Sequence, residues 1–178
     1  SEDGKWLLIY RSLFNSNDLW LQRVGSDERV AVVTGMSGEH NAEVVEDQLL
    51  ILTDWEAPNY RVMSAPLTTP SQEHWAEFIP QSDDRLSSIS AIGGYIYAGL
   101  LHNAASRIDV YSSAGERLGE VALPTVGTAR VSGYWSKPRT LVSFSTFTHP
   151  RATYSWDQSA GKLTLEKKSP IDIDPSGI

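Results

Sequence analysis

The amino-acid sequence predicts an all-β fold, and the spacing of its strands favours a partial β-propeller. Short apolar runs rich in Val, Ile, Tyr and Trp are separated by turn residues roughly every 8–12 positions, a pattern typical of all-β chains. No long stretch keeps apolar residues at the i, i+3, i+4 and i+7 spacing of a helix. Four segments with strand-like middles also repeat, and their matching positions, Trp20, Arg61, Asp109 and Tyr154, lie 41, 48 and 45 residues apart.

This repeat length indicates propeller blades. Blades recur at about 40–50 residues, and each is a four-stranded antiparallel sheet. Three of the repeats contain four predicted strands each: residues 42–46, 48–54, 60–66 and 75–80; residues 86–92, 95–102, 106–112 and 117–123; and residues 128–133, 140–145, 152–157 and 162–166. We therefore expect blades over residues 1–35 (incomplete), 38–81, 84–124 and 126–168, with a tail over residues 169–178. From the residues alone, two stacked β-sandwich-like sheets remain the alternative.

The first repeat differs from the others because its innermost strand is missing. It opens on Ser-Glu-Asp-Gly at residues 1–4, a turn typical of the entry to a second strand. Three complete blades and most of a fourth are too few for most closed propellers, which have about 4–8 blades. We therefore expect a piece of a larger propeller. Open blade edges present unpaired backbone groups, so we also expect the isolated chain to self-associate.

Composition excludes several classes of function. Among 178 residues, 15 Lys and Arg stand against 22 Asp and Glu, a net charge of −7. The scattered basic residues argue against nucleic-acid binding, because Lys and Arg contacts to phosphate dominate that affinity. The lack of cysteine excludes disulfides, thiolate metal sites and a cysteine nucleophile.

Nothing in the sequence indicates a membrane protein. No apolar run approaches the ~20 residues of a membrane span. The first residues do not form a signal peptide, although one could have been removed. We predict a soluble protein of the cytoplasm or the periplasm, since a cysteine-free chain fits either compartment.

Three segments together resemble the propeller of the prolyl oligopeptidase family. The first, residues 53–86, contains Ala-Pro-Asn-Tyr-Arg-Val at 57–62, then Pro70, Trp75 and Ile-Pro at 79–80, with Gln81 where that family usually has Glu. The second, "SRIDVYSSAGERLGEVALPTVGTARVSG", is similar to the family's strand, turn, strand and Leu-Pro sequence. The third, "FSTFTHPRATYSWD", is similar to its phenylalanine-rich blade.

The resemblance implies a place in the family's architecture and a role. It implies the second half of a seven-bladed propeller that belongs to a serine peptidase cutting short peptides after proline. In that family the propeller covers the active site and limits substrate size. The implied partners are a catalytic α/β-hydrolase domain of the same parent chain and, through it, a short peptide; no cofactor is implied. The alternative is a stand-alone binding or assembly module.

The catalytic machinery of such an enzyme is not in this sequence. An α/β-hydrolase places its serine in a G-x-S-x-G turn, and no serine here has glycine both two positions before it and two positions after it. Ser37 comes nearest, but Glu39 occupies the second glycine position. Ser143 or Ser145 with His149 and Asp157 could be arranged as a triad on paper. In a hairpin, however, Ser and Asp would lie on separate paired strands with His between them, and no helix N-terminus would supply an oxyanion hole.

The remaining polar residues have structural interpretations. We expect His40 and His74 to be solvated loop residues and His102 to be a core or turn-capping residue. The acidic pairs Asp83-Asp84 and Asp172-x-Asp174 fit solvated surfaces better than metal sites, because calcium needs about 6–8 oxygen ligands. The six tryptophans are expected to follow strand positions and pack in the core.

One connection is a candidate for contact with substrate. Residues 10–20 join two strands of the first repeat, and in the resembled family the corresponding connection points toward the active-site cavity. The resemblance therefore makes Arg11, Leu13 and Phe14 the candidates for lining that cavity. The alternative is a surface loop with a chance apolar pair.

Overall fold

The computed structural model describes residues 1–169, which form four antiparallel sheets. The predicted tail, apart from its first residue, lies outside the described residues. The first sheet has three strands: β1 (Trp6–Ser12), β2 (Asn17–Arg23) and β3 (Arg29–Val33). The second has β4 (His40–Val45), β5 (Gln48–Thr53), β6 (Arg61–Pro66) and β7 (Ala76–Ile79), with one turn of 3₁₀ helix at Gln72–His74 before β7.

The third and fourth sheets have four strands each. They comprise β8 (Arg85–Ile92), β9 (Tyr95–His102), β10 (Ala105–Ser112) and β11 (Arg117–Glu120), and then β12 (Thr128–Ser132), β13 (Thr140–Ser145), β14 (Ala152–Asp157) and β15 (Lys162–Lys168). In every sheet the spatial order of the strands is their order along the chain. Within residues 1–169, no helix has the length and apolar character needed to cross a membrane.

A register shift recurs at the same place in all four sheets. It lies between the last two strands of each sheet, at Leu19/Trp20, Val62/Met63, Val110/Tyr111 and Thr153/Tyr154. Such bulges increase the local twist of a sheet and recur at equivalent positions in related structures. The shift aligns β2 and β3 with the last two strands of the other sheets, so the first sheet has no counterpart of their first strand.

The chain divides into two compact units, Ser1–Leu86 and Ser87–Ile178. The first unit contains the first two sheets, and its core is formed by alternate residues of their facing strands. Leu19 and Leu21 of β2 and Leu49 and Ile51 of β5 are at most 1% exposed and belong to one cluster. Alternation along each strand sends these side chains to one face, where they leave water together.

The second unit has its own core, between the third and fourth sheets. Tyr97, Val110, Val142 and Trp156 are among its buried residues. The Tyr97 hydroxyl lies 3.2 Å from Thr140 Oγ1, which supplies the hydrogen bond that a buried phenol needs. Burial raises the pKa of Tyr97 above its ordinary value.

The observed strands follow the predicted ones closely, and the predicted fold class is confirmed. The prediction that the tryptophans occupy strand positions is wrong for three of the six, although Trp75 still packs against the core of the first unit. Trp6, Trp20 and Trp156 lie in strands, whereas Trp55, Trp75 and Trp135 lie in connections. Trp55 and Trp75 pack edge to face, with ring centroids 6.2 Å apart, so these two indoles stabilise connections.

Candidate functional site

The three candidate residues lie at the end of β1 and in the connection to β2. Arg11 is the second-to-last residue of β1, and the Leu13 N–H donates to the Ser16 carbonyl at 2.8 Å to close the hairpin. Leu13 is 52% exposed and Phe14 is fully exposed. The hairpin therefore presents two apolar side chains to the surroundings.

A groove beside this hairpin encloses about 300 Å³. Leu13 lines it together with residues of β1, of the β3–β4 connection and of β4, namely Tyr10, Ser12, Ser16, Asn17, Glu39, His40 and Asn41. Of the three candidates, only Leu13 lines the groove. The Phe14 side chain projects into solvent, and the Arg11 guanidinium pairs with a carboxylate outside the groove.

That partner is Asp18, which is buried at the beginning of β2. Its Oδ1 accepts the Gly35 N–H at 2.7 Å, and its Oδ2 accepts from the Arg11 guanidinium. The Gly35 N–H, and after it Arg11, lowers the pKa of Asp18 although burial opposes the shift. The guanidinium also lies 5.7 Å from the centroid of the Trp20 ring. Arg11 is thus held in place, with about two thirds of its side chain exposed.

Asn17 joins the hairpin to the second sheet. Its side-chain Oδ1 accepts the His40 N–H at 2.7 Å and its Nδ2 donates to the His40 carbonyl at 2.9 Å. Its own N–H donates to the Gly38 carbonyl at 3.3 Å. The amide side chain therefore pairs with the first residue of β4 as a neighbouring strand would.

The prediction that His40 is a solvated loop residue is wrong. His40 begins β4 and is only 1% exposed. Asn17 satisfies its backbone, and the ring packs edge to face against Trp75 with centroids 6.0 Å apart. The "GMSGEHN" turn hid this because the residues that bury His40 lie 23 and 35 positions away in sequence. Asn17 and Glu39, which also line the groove, carried no sequence signal that could have identified them.

The connection from β5 to β6 contains the Ala-Pro-Asn-Tyr motif and has strained backbone at Tyr60, whose φ is 65°. A bulky residue adopts this conformation only where its surroundings enforce it. The Tyr60 hydroxyl donates to Glu39 Oε2 at 2.8 Å, and Arg85 stacks over the ring at 4.8 Å. Burial, and next the bond to Glu39, raises the pKa of Tyr60. The motif thus supports the loop that carries Glu39.

Asn59 ties the same connection to the segment that follows β7. Its side-chain Nδ2 donates to the carbonyls of Ser82 and Asp83 at 3.0 and 3.1 Å. Its N–H donates to Gln81 Oε1 at 2.9 Å. The Gln81 amide oxygen therefore supplies the acceptor that a glutamate could supply at this position.

The other histidines are exposed. His74 lies in the 3₁₀ helix, as expected of a solvated residue, and its Nδ1 is 3.2 Å from Ser71 Oγ. His102 ends β9 and lies 3.1 Å from the Asn103 amide, so it caps a turn and is not a core residue.

The Ser, His and Asp of the last sheet that could be arranged as a triad on paper are not brought together in the structure. Ser143 and Asp157 lie on the paired strands β13 and β14, but Ser143 faces Thr153, four residues away from Asp157. His149 Nδ1 contacts the hydroxyl of Thr148 at 2.9 Å, and Asp157 Oδ1 accepts from Ser159 and from the Ala160 N–H. His149 and Asp157 are therefore engaged in local turns, while Ser143 lies within a strand.

No group of three or more His, Asp or Glu side chains in the described part of the chain could hold a metal ion. Within it, Asp83 and Asp84 contribute backbone carbonyls to turns. The pair Asp172 and Asp174 lies outside the described residues.

The family comparison decides what this arrangement of sheets is. Residues 1–169 match the family model described as prolyl oligopeptidase, N-terminal beta-propeller domain. The chain belongs to this family. The resemblance drawn from the three sequence segments is therefore confirmed, and the four sheets are a non-catalytic portion of a prolyl oligopeptidase propeller.

Curated relatives of this prolyl oligopeptidase propeller are longer proteins with peptidase names. The chain is 25% identical over 181 residues to the prolyl endopeptidase of Elizabethkingia miricola, covering 98% of this chain and 25% of the relative. It is 28% identical over 171 residues to the dual function macrocyclase-peptidase POPB of Amanita bisporigera, covering 90% of this chain and 23% of the relative. The chain thus spans about a quarter of the length of these proteins.

Solved structures agree with the fold of this propeller portion. A prolyl endopeptidase studied for the role of inter-domain dynamics in catalysis and specificity superposes with a TM-score of 0.92 at 30% identity, covering 98% of this chain and 26% of that one. Prolyl oligopeptidase B from Galerina marginata, bound to a 35mer hydrolysis and macrocyclization substrate, gives a TM-score of 0.85 at 25% identity, with 98% and 26% coverage.

Proposed function

We propose that this propeller portion covers the active site of a prolyl oligopeptidase-like serine endopeptidase and restricts its substrates to short proline-containing peptides. The observation that carries the proposal is the family match over residues 1–169. The structural likeness to a prolyl endopeptidase, of which this chain covers 26%, supports it. The catalytic serine, histidine and aspartate would come from an α/β-hydrolase domain of the same parent chain.

The proposed restriction is steric. Hydrogen-bonded sheets with closely packed apolar cores resist deformation, so an opening bordered by such sheets would keep a fixed width. An extended peptide passes such an opening, whereas a folded domain does not. A 35mer substrate is bound to the Galerina marginata relative. This supports the width of the substrate, and not only its length, as the dimension that limits entry.

We propose that the β1–β2 hairpin touches the peptide in the intact enzyme. Leu13 and Phe14 are exposed apolar side chains that would contact apolar parts of the substrate. Arg11 is held by Asp18 and keeps an exposed surface that could face a substrate carbonyl or carboxylate. A fixed cation and two apolar side chains suit a peptide whose backbone is polar and whose proline is apolar.

Size selection by the intact protein tests the main proposal. A proline-containing peptide is offered free, and the same sequence is offered in a surface loop of a folded protein. We expect cleavage after proline in the free peptide and none in the folded protein until that protein is unfolded. Equal rates on both substrates would reject a steric filter.

A second experiment tests the hairpin. Leu13→Ala and Phe14→Ala in the intact protein should each lower kcat/KM for the free peptide by about fivefold, as expected for about 1 kcal/mol of lost apolar contact. The control is Val24→Ala, which removes a 50% exposed apolar side chain after β2, at the opposite end of the same sheet. Equal effects of all three substitutions would contradict a specific contact.

We also propose that the four sheets are successive blades with the bounds expected from the sequence, and that the open edge of the first blade allows self-association. The Trp6 N–H and carbonyl bond to Ser1, away from β2, so alternation turns the backbone groups of Leu8, Tyr10 and Ser12 outward as well. Among the described strands only β2 pairs with β1. A second copy of the chain can pair with this edge.

A further inference from the structure

His40 is a buried histidine that is only half satisfied. Its Nδ1 lies 2.9 Å from Thr53 Oγ1, which also accepts the Trp55 N–H at 3.0 Å. Its Nε2 is buried and has no hydrogen-bond partner within residues 1–169. Buried ring nitrogens without a partner are uncommon, because they lose water and gain nothing in return.

Protonation would make this environment worse for the ring. A charged imidazole has N–H groups at both nitrogens. The Nδ1–H can donate to Thr53, whereas Nε2 makes no hydrogen bond in the described part of the chain, although the nearby Ser37 carbonyl favours the charged ring. A buried charge that lacks a full set of hydrogen bonds is expensive.

Several charged side chains lie on the elements packed around the ring. They are Arg11 on β1, Asp18 on β2, Glu39 and Asp54 in the connections, and Glu73 and His74 in the 3₁₀ helix before Trp75. Asp18 is paired with Arg11, Asp54 accepts the Glu39 N–H, and Glu73 and His74 are exposed and contact Ser71. The carboxylates of these groups are thus already engaged or solvated.

The balance of these effects favours the neutral ring. Burial lowers the pKa of His40 below its ordinary value of 6.5, while Asp54, Asp18 and the Ser37 carbonyl oppose the shift without cancelling it. A local opening that exposes the ring restores the ordinary pKa. The opened form therefore binds a proton more readily than the closed form, and opening becomes more favourable as the pH falls below about 6.5.

The backbone of His40 is what Asn17 holds. The two bonds between the Asn17 amide and the His40 backbone, together with the bond from Asn17 to Gly38, join the hairpin to the start of β4. Ser16 and Gly38 also form a parallel bridge. A displacement of His40 therefore acts directly on the end of the hairpin that carries Leu13 and Phe14.

We propose that His40 is a proton-operated latch on the β1–β2 hairpin. The neutral ring, seated between Thr53 and Trp75, keeps the start of β4 in place and with it the Asn17 clamp. Protonation favours release of the ring, opens the clamp and frees the hairpin. If the hairpin touches substrate, which rests on the proposed function, peptide affinity will fall in the same pH range.

Hydrogen exchange followed by mass spectrometry tests the latch in the intact protein without any activity measurement. Exchange at the His40 Cε1–H gives the pKa of the ring, and amide exchange in peptides covering residues 13–17 and 37–41 gives the opening of the clamp. After correction for intrinsic exchange rates, we expect the opening to rise as the pH falls from 7.5 to 5.5, by at most about tenfold for each pH unit, the limit for one proton. The β13–β14 connection should show no such rise.

Two variants and a matched control complete the test. His40→Phe keeps an aromatic ring against Trp75 but cannot titrate, so hairpin exchange should lose its pH dependence. Asn17→Ala removes the clamp, so the hairpin should exchange rapidly at every pH. His149→Gln, at an exposed histidine of the fourth sheet, should behave as the unchanged protein.

Each result decides for or against the latch. An ordinary pKa for His40, or hairpin exchange that is flat with pH in the unchanged protein, would overturn it, and both measurements stand even if His40→Phe fails to fold. If exchange of the hairpin still depended on pH in His40→Phe, the proton would be binding to another group and the latch at His40 would be rejected. Loss of substrate size selection with an intact latch would reject the proposed function alone.

Discussion

At the scale of single residues, the buried carboxylates of this chain are held by arginines that remain partly in water. Asp109 is 2% exposed on β10. The Arg107 and Arg117 guanidinium groups bond its two oxygens at 2.9–3.3 Å. The side chains of these arginines are 31% and 50% exposed, so their charges stay hydrated while the carboxylate is fully satisfied. This geometry avoids the full desolvation of a buried ion pair.

Removing the Asp109 charge should destabilise the second unit. Asp109→Asn replaces an acceptor of charge-assisted bonds with a neutral amide and should lower the free energy of unfolding by about 2 kcal/mol. Glu120→Gln is the control, because Glu120 is 57% exposed and 3.9 Å from Arg117, and should cost under about 0.5 kcal/mol. Denaturant unfolding measures both changes. Equal midpoints for the two variants would show that the bonds from Arg107 and Arg117 to Asp109 stabilise the protein no more than the exposed Glu120 contact does.

At the scale of elements, the repeated register shift and the three-stranded first sheet explain where that sheet is exposed. In the other three sheets the first strand precedes the three that align with β1, β2 and β3. β1 therefore presents an edge that corresponds to a paired, interior strand elsewhere in the chain. Natural edge strands are usually protected by Lys, Pro or bulges, but β1 carries Leu7, which is 47% exposed.

Blocking this edge should abolish self-association of the isolated 178-residue chain. We expect the unchanged chain to form dimers at micromolar concentration and Leu7→Lys to be monomeric, because a lysine on an edge strand disfavours further pairing. The control is Leu118→Lys, at a residue 45% exposed on β11, the outer strand of the third sheet. Sedimentation equilibrium measures the masses of the unchanged chain and the two variants. A monomeric unchanged chain would contradict the proposed pairing through the β1 edge.

At the scale of the whole molecule, residues 1–169 form sheets and connections, and no serine among them has the base and oxyanion hole that a nucleophile needs. The hydroxyls, imidazoles and carboxylates that a triad needs occur in the described residues, yet they form hydrogen bonds within turns and between strands instead of with one another. Catalysis by serine requires a base within hydrogen-bond reach and a prepared oxyanion hole, and geometry decides this more than the presence of the residue types.

The isolated chain should therefore be inactive. We expect no turnover of a proline-containing chromogenic peptide and no labelling by a serine-directed phosphonate, while the intact protein should show both. Turnover by the purified chain that the inhibitor abolishes would mean that a nucleophile had been overlooked. Turnover that the inhibitor leaves unchanged would point to a contaminating or different activity, and mass spectrometry of the labelled sample separates the two.

The sequence alone determined the all-β repeat, the positions of nearly all strands, the shorter first sheet and the family. These properties are encoded in short windows, because side-chain alternation and turn residues act between neighbours along the chain. Of the three candidate residues, Leu13 and Phe14 lie in the β1–β2 connection and Arg11 lies in β1, and nothing in their local sequence shows that Arg11 pairs with Asp18 or that Phe14 is fully exposed.

Only the tertiary structure decided the environment of the polar residues. His40 lies in a turn-like sequence and is nevertheless buried, because Asn17, Thr53 and Trp75 arrive from three other elements. Trp55 and Trp75 likewise pack with each other outside any strand. Burial and hydrogen bonding at such positions depend on partners 13 to 35 residues away, and those partners are brought together only when the sheets pack.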